Sequence, residues 1–278
     1  MTPCKNISRP GAGDTTGGGD PDRAFNRRQP GGWGYNILPF IEETTLHDLG
    51  KSGDPKTYTA AKKTASKQRA VTPISLYYCP TRGRGPLVAN NAGGMINVDL
   101  SGLTELAKTD YAACGGSISP SLIADLPDGG GEGNLAKSNS QIDTQLAKAA
   151  ATDGVCNTGS EIKASLIKDG LSKTYLVGEK YLALQRGSET TFGDDNQTWD
   201  TAYDWDTYRW TSGAPYFDQI VDSAVNSTQF GSSHLGGFGM ACCDGTVRMI
   251  PYEIDNTIHR LLGGRKDGGP DVSQVPGW

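Results

Sequence analysis

Hydrophobic and polar positions change period several times along the chain, and each change marks a predicted element. Tyr35, Ile37, Leu38, Phe40, Ile41, Leu46 and Leu49 crowd one stretch, which predicts a strand or turn, then a short helix ended at Gly50. The Ala- and Lys-rich segment 57–70 predicts a surface helix. Residues 71–80, VTPISLYYCP, alternate and are rich in β-formers, so a strand stopped by Pro80 is expected. TDYAACGG at 109–116 and TYLVGEKYL at 174–182 predict two further strands. Ile162, Leu166 and Ile167 behind Ser160 predict a short amphipathic helix or turn. GMACCDGTVRMIPYEI reads as a β-hairpin turning at Asp244-Gly245. Asp255 then caps a helix with Ile258, Leu261 and Leu262 inward and Gly263 at its end.

Strands do not alternate with full-length helices, which disfavours a doubly wound parallel sheet. The predicted class is α+β, with a mainly antiparallel sheet, short helices and long Gly-rich loops. Residues 1–32 show no period and read as an irregular arm. Residues 33–278 read as a single domain with a loop-rich insertion near 117–158.

Composition narrows the class. Glycine supplies 38 of 278 residues, about twice the usual ~7%. The glycines have no three-residue period, so they imply tight turns rather than a collagen helix. No run approaches the ~18 apolar residues of a membrane span. The first 23 residues lack the apolar core of a signal peptide. A net charge of −5 argues against a nucleic-acid partner.

Charge is unevenly placed. Residues 51–69 carry six basic side chains against Asp54, which reads as a solvated helix face. Residues 189–222 carry eight acids against Arg209. Within them Asp194, Asp195, Asp200, Asp204 and Asp206 must either be solvated, with Arg209 or Arg23 as counter-charge, or be bridged by a cation. Hard oxygen donors on a loop suit Ca²⁺, although the spacing is not that of an EF-hand. Trp199, Trp205 and Trp210 are interleaved with these carboxylates. They would either stack on a sugar or anchor the loop in the core. A hydrolase built on two of the aspartates needs them roughly 5–9.5 Å apart across a cleft. Neither a G-x-S-x-G elbow nor a phosphate loop is present. Of the six cysteines, Cys79, Cys114, Cys156 and one of Cys242 and Cys243 are expected to pair in an oxidising compartment.

His234 is followed by nine residues and then Asp244-Gly245. Other stretches run in order around it: GDPDRAFNRRQPGGWGYNILPFIEETTLHDLG, YYCPTR, TDYAACGG, DGLSKTYLVGEKYL, GDDNQTWDTAYDWDTYRW and IDNTIHRLLGGRKDG. The series resembles a large bacterial family of prepilin-type surface proteins with an H-x9-D-G signature, also described as a solute-binding-like domain of unknown function. The resemblance covers nearly the whole chain from about residue 19. It implies a pilin-like globular head, located extracellularly or at the cell surface. It further implies a non-enzymatic structural subunit that self-assembles into a homo-oligomer or filament. It transfers no catalytic residue. The prepilin cleavage motif and long apolar helix of that family have no match in these N-terminal residues. His234, Asp244 and Gly245 are expected to serve the hairpin. The alternative is a Ca²⁺-dependent glycan- or solute-binding module, and a glycan or the cell envelope is the further partner expected.

Overall fold

The computed structural model describes residues 17–23, 29–92, 95, 97–118, 140, 152–157, 160–184, 195–202, 204–220 and 228–278. Three helices come first: α1 (Trp33–Asn36), α2 (Thr44–His47) and α3 (Ala60–Ala70). Short strands follow: β1 (Leu87–Ala89), β2 (Glu105–Ala107), β3 (Tyr111–Cys114), β4 (Tyr175–Glu179), β5 (Ala183–Leu184), β6 (Tyr208–Arg209), β7 (Tyr216–Phe217), β8 (Gln219–Ile220) and β9 (Gly231–Ser232). The hairpin of β10 (Phe238–Cys242) and β11 (Val247–Ile250) leads into helix α4 (Asn256–Gly263). A five-stranded sheet in the order β11-β10-β4-β3-β6 forms the centre. Its pairs are antiparallel except β3 with β6. The fold is therefore α+β, as the sequence predicts.

The pleat of this sheet divides the apolar core. Successive strand residues point to opposite faces. Ala112 and Cys114 of β3 accordingly join Tyr175, Phe238, Met240, Cys242 and Leu262 on one face. Ala113 joins Trp33, Tyr35, Tyr77, Trp199 and Trp210 on the other. Helix α4 covers the first face. Its N-cap Asp255 accepts bonds from the amides of Thr257 (2.8 Å) and Ile258 (3.1 Å). The hairpin closes where Gly245, at φ +87°, takes the left-handed conformation glycine adopts without cost.

Two local expectations change. Residues 71–80 are not a strand. Ser75–Tyr77 form a 3₁₀ turn, with Ile74 and Tyr77 buried and Leu76 exposed. The apparent alternation was a three-residue spacing bounded by Pro73 and Pro80. Ile162, Leu166 and Ile167 lie around a single 3₁₀ turn, the turn alternative of that expectation, and Leu166 is exposed. The boundary at residue 32 also moves, because the described part of the arm is built into the domain. Gly17–Asp20, Arg23 and Gln29–Gly32 are buried, and the Gly18 amide donates to Asn97 Oδ1 at 2.8 Å. Most of the expected insertion lies outside the described residues, but Thr152, Val155, Cys156 and Asn157 return to the interior.

Candidate functional site

The acidic segment is turned inward. Asp195 is buried between Arg84 and Lys180, whose Nζ lies 2.6 Å from Oδ1. Burial alone would raise its pKa, but Arg84, Lys180 and Lys108 hold the carboxyl well below the usual range. Asp200 meets Arg69 Nε at 2.6 Å and also accepts from the Thr198 hydroxyl. Asp206 accepts from the Gln197 amide at 2.6 Å. Burial and the adjacent Asp206 push the Asp204 carboxyl well above its ordinary value. Asp194 lies outside the described residues. The counter-charge assigned to Ca²⁺, or to Arg209 or Arg23, thus comes for Asp195 and Asp200 from Arg69, Arg84 and Lys180. Among the described residues, these carboxylates do not gather three donors around one point.

The basic run is corrected by the same contacts. Lys62 and Arg69 of α3 are buried, not solvated. Lys62 Nζ reaches Asp22 at 2.6 Å, and Arg69 also donates to the Gly19 carbonyl at 2.5 Å. The indoles follow suit. Trp199 and Trp210 are fully buried, and Trp199 Nε1 donates to the Thr72 carbonyl at 3.0 Å. Trp205 is half-buried against the same cluster. No open aromatic face remains on Trp199 or Trp210 for a sugar to stack on. Of the cysteines expected to pair, Cys156 is disulfide-bonded, whereas Cys79, Cys114, Cys242 and Cys243 are free thiols, so no two of the five are joined to each other.

Arg82 and Arg84 organise the interior beside β3 and β4. Asp110 Oδ1 lies 2.9 Å from Arg82 and 2.6 Å from Arg84. Arg82 Nε also meets Asp218 at 2.8 Å. Lys180 donates to the Asp206 carbonyl at 2.8 Å, and Lys108 to that of Asn196 at 2.7 Å. Burial pushes the Lys108 ammonium down to about 8.

One end of this interior opens on a different kind of cluster. His234 Nε2 lies 3.4 Å from Cys79 Sγ and 3.3 Å from Glu179 Oε1. The three donor atoms lie within 4.8 Å of one another, and among the described residues no other group of three potential metal ligands converges this way. Each ligand is fixed from behind. The Cys79 amide donates to Asp110 Oδ2 at 2.7 Å. Glu179, at the end of β4, accepts from the Gly239 amide at 2.6 Å through Oε2. The His234 carbonyl accepts from the Tyr252 hydroxyl at 2.7 Å. The His234 side chain is 32% exposed and that of Glu179 only 4%. Burial, then the nearby Glu179, raises the Cys79 thiol pKa.

The signature splits here. His234 enters the cluster, while Asp244 and Gly245 shape the hairpin turn: Asp244 Oδ1 accepts from the Thr246 amide (2.9 Å) and hydroxyl (2.7 Å). By sequence Cys79 is a candidate only for a disulfide, and nothing local marks Glu179. The available signal was motif membership, since the three residues come from YYCPTR, VGEKYL and the H-x9-D-G stretch.

Comparison with known proteins adds one match. No curated protein and no solved structure matches the chain. The profile of one family, described as a protein of unknown function (DUF1559), matches residues 9–257 and so takes in the helical N-terminal part, the central sheet and all three members of the Cys79–Glu179–His234 cluster. A match over well over half of its length means that the chain belongs to this family.

Proposed function

We propose that the chain is the globular head of a prepilin-type H-x9-D-G surface protein: a non-enzymatic structural subunit, extracellular or at the cell surface, that self-associates. The observation that carries this reading is the use of the acidic segment. Its richest chemistry, Asp195 and Asp200 with Trp199 and Trp210, is consumed internally by buried cations and by the core. Such groups hold a shape and are withheld from a substrate. The sheet also ends on β11, where Val247 (75%) and Met249 (52%) are exposed. An edge strand with outward apolar side chains is a template for pairing with another copy.

Sedimentation and negative-stain electron microscopy of the purified chain across a concentration series test the reading. Ordered oligomers or filaments that grow with concentration are expected. Val247→Lys combined with Met249→Lys should shift the equilibrium toward monomer. A monomer at every concentration would overturn the proposal.

A further inference from the structure

We propose that Cys79, Glu179 and His234 form a binding site for Zn²⁺. The spacing of the donors is the first argument. Zn–S bonds of about 2.3 Å and Zn–N or Zn–O bonds of about 2.0–2.2 Å at tetrahedral angles put S···N at about 3.6 Å and N···O at about 3.4 Å. The observed separations are 3.4 and 3.3 Å. One ion placed among the three atoms therefore needs little rearrangement.

The direction of the donors is the second argument. A Cys–His–acid catalytic relay requires the nucleophile on one imidazole nitrogen and the orienting acid on the other. Here both Sγ and Oε1 approach the same nitrogen, Nε2. That arrangement is poor for proton relay and right for a shared cation. Glu179 Oε1 is moreover buried and has no hydrogen bond of good geometry, while Oε2 is taken by the Gly239 amide. A buried carboxylate oxygen left in this state is costly unless a positive charge meets it.

The donor types select the metal. Thiolate and imidazole favour Zn²⁺ over Ca²⁺ or Mg²⁺, which prefer all-oxygen sets. The partners behind the ligands – Asp110, the Gly239 amide and Tyr252 – supply the support that orients metal ligands. The 32% exposure of His234 leaves a side open for a fourth ligand, such as water. On binding, the Cys79 S–H bond breaks, an S–Zn bond forms and the proton leaves to buffer. The ion would pin three segments that are far apart in sequence. This assignment is independent of whether the chain self-associates.

The full chain, stripped with chelator and titrated with ZnCl₂, should take up one equivalent and melt at a higher temperature. CoCl₂ should give a thiolate-to-cobalt charge-transfer band. Cys79→Ser should abolish that band, and His234→Gln and Glu179→Gln should each weaken Zn²⁺ binding by about tenfold or more. Asp244→Ala should bind as the unmodified chain does. If a ligand variant does not fold, alkylation of the unmodified chain decides: Zn²⁺ should protect Cys79, read by peptide mass spectrometry. Absence of stoichiometric uptake, unaltered affinity in Cys79→Ser, or equal labelling of Cys79 with and without Zn²⁺ would overturn the site.

Discussion

Two charged regions share one residue and behave differently. Asp110 presents Oδ1 to Arg82 and Arg84, and Oδ2 to the amide of Cys79. On its inner side Asp110, Asp195, Asp200 and Asp218 each face a cationic nitrogen within 3 Å. On its outer side a thiol, an imidazole and a carboxylate converge within 4.8 Å of one another. The inner region spends its charges on one another. The outer region holds its donors in place and keeps them available. Enclosed charge therefore reads as architecture here, and convergent donors at the rim read as a site.

The largest test of that contrast is Asp110→Ala. It leaves Arg82 and Arg84 buried without their common carboxylate and frees the Cys79 amide. Breaking a buried pair from one side costs about 3–5 kcal/mol, and urea unfolding should show a loss of that size. A loss below about 1 kcal/mol would mean that the inner charges are not structural. Burial alone would raise the pKa of Asp110 and Asp195, but the neighbouring cations hold both below the ordinary range. Their stabilisation is thus present above the unfolded value near 3.9 and is lost as pH falls through the folded one.

His259 sharpens the comparison from the opposite direction. It is fully buried between Tyr175 and Phe238, at 5.6 and 6.0 Å between ring centroids. Burial pushes its pKa down to about 3. The unfolded chain binds this proton near 6.5 and the folded chain does not, so stability is complete above that pH and falls as pH drops toward 3. The slope is about 1.4 kcal/mol per pH unit, so roughly 2 kcal/mol should be lost between pH 6.5 and 5. His259→Phe should flatten this window while leaving the carboxylate-driven loss below about pH 4. An unchanged slope in the variant would show that another group sets it.

The sequence made the local elements legible wherever one period or one cap dominated. Helix α4 was visible from Asp255 and Gly263, the hairpin from Asp244-Gly245, and β3 and β4 from runs of β-formers. It misread 71–80 because a spacing of three between Ile74 and Tyr77 mimics alternation over so short a stretch. It could not show that Arg69 of the basic run would meet Asp200 of the acidic run, 131 residues away. Charge runs look solvated in one dimension, and only the fold brings opposite runs together. The cluster was hidden for the same reason. Cys79, Glu179 and His234 lie on separate elements, and nothing local to any of them announces the other two.

The smallest expected effect divides the signature itself. Asp244→Ala removes two hydrogen bonds to Thr246 at an exposed turn and should cost about 0.5–1.5 kcal/mol. Gly245→Ala must place a side chain at φ +87° and should cost about 1–2 kcal/mol. Both changes act on the register and closure of β10 with β11. Neither residue donates to the cluster, so Zn²⁺ affinity should hold in both variants while His234→Gln loses it. Thermal unfolding with and without Zn²⁺ separates the two halves: the turn variants should keep the metal-induced rise in midpoint, and His234→Gln should lack it. If Asp244→Ala abolished that rise while its metal-free midpoint barely moved, the signature would be a single functional unit, and the division between turn and site would fail.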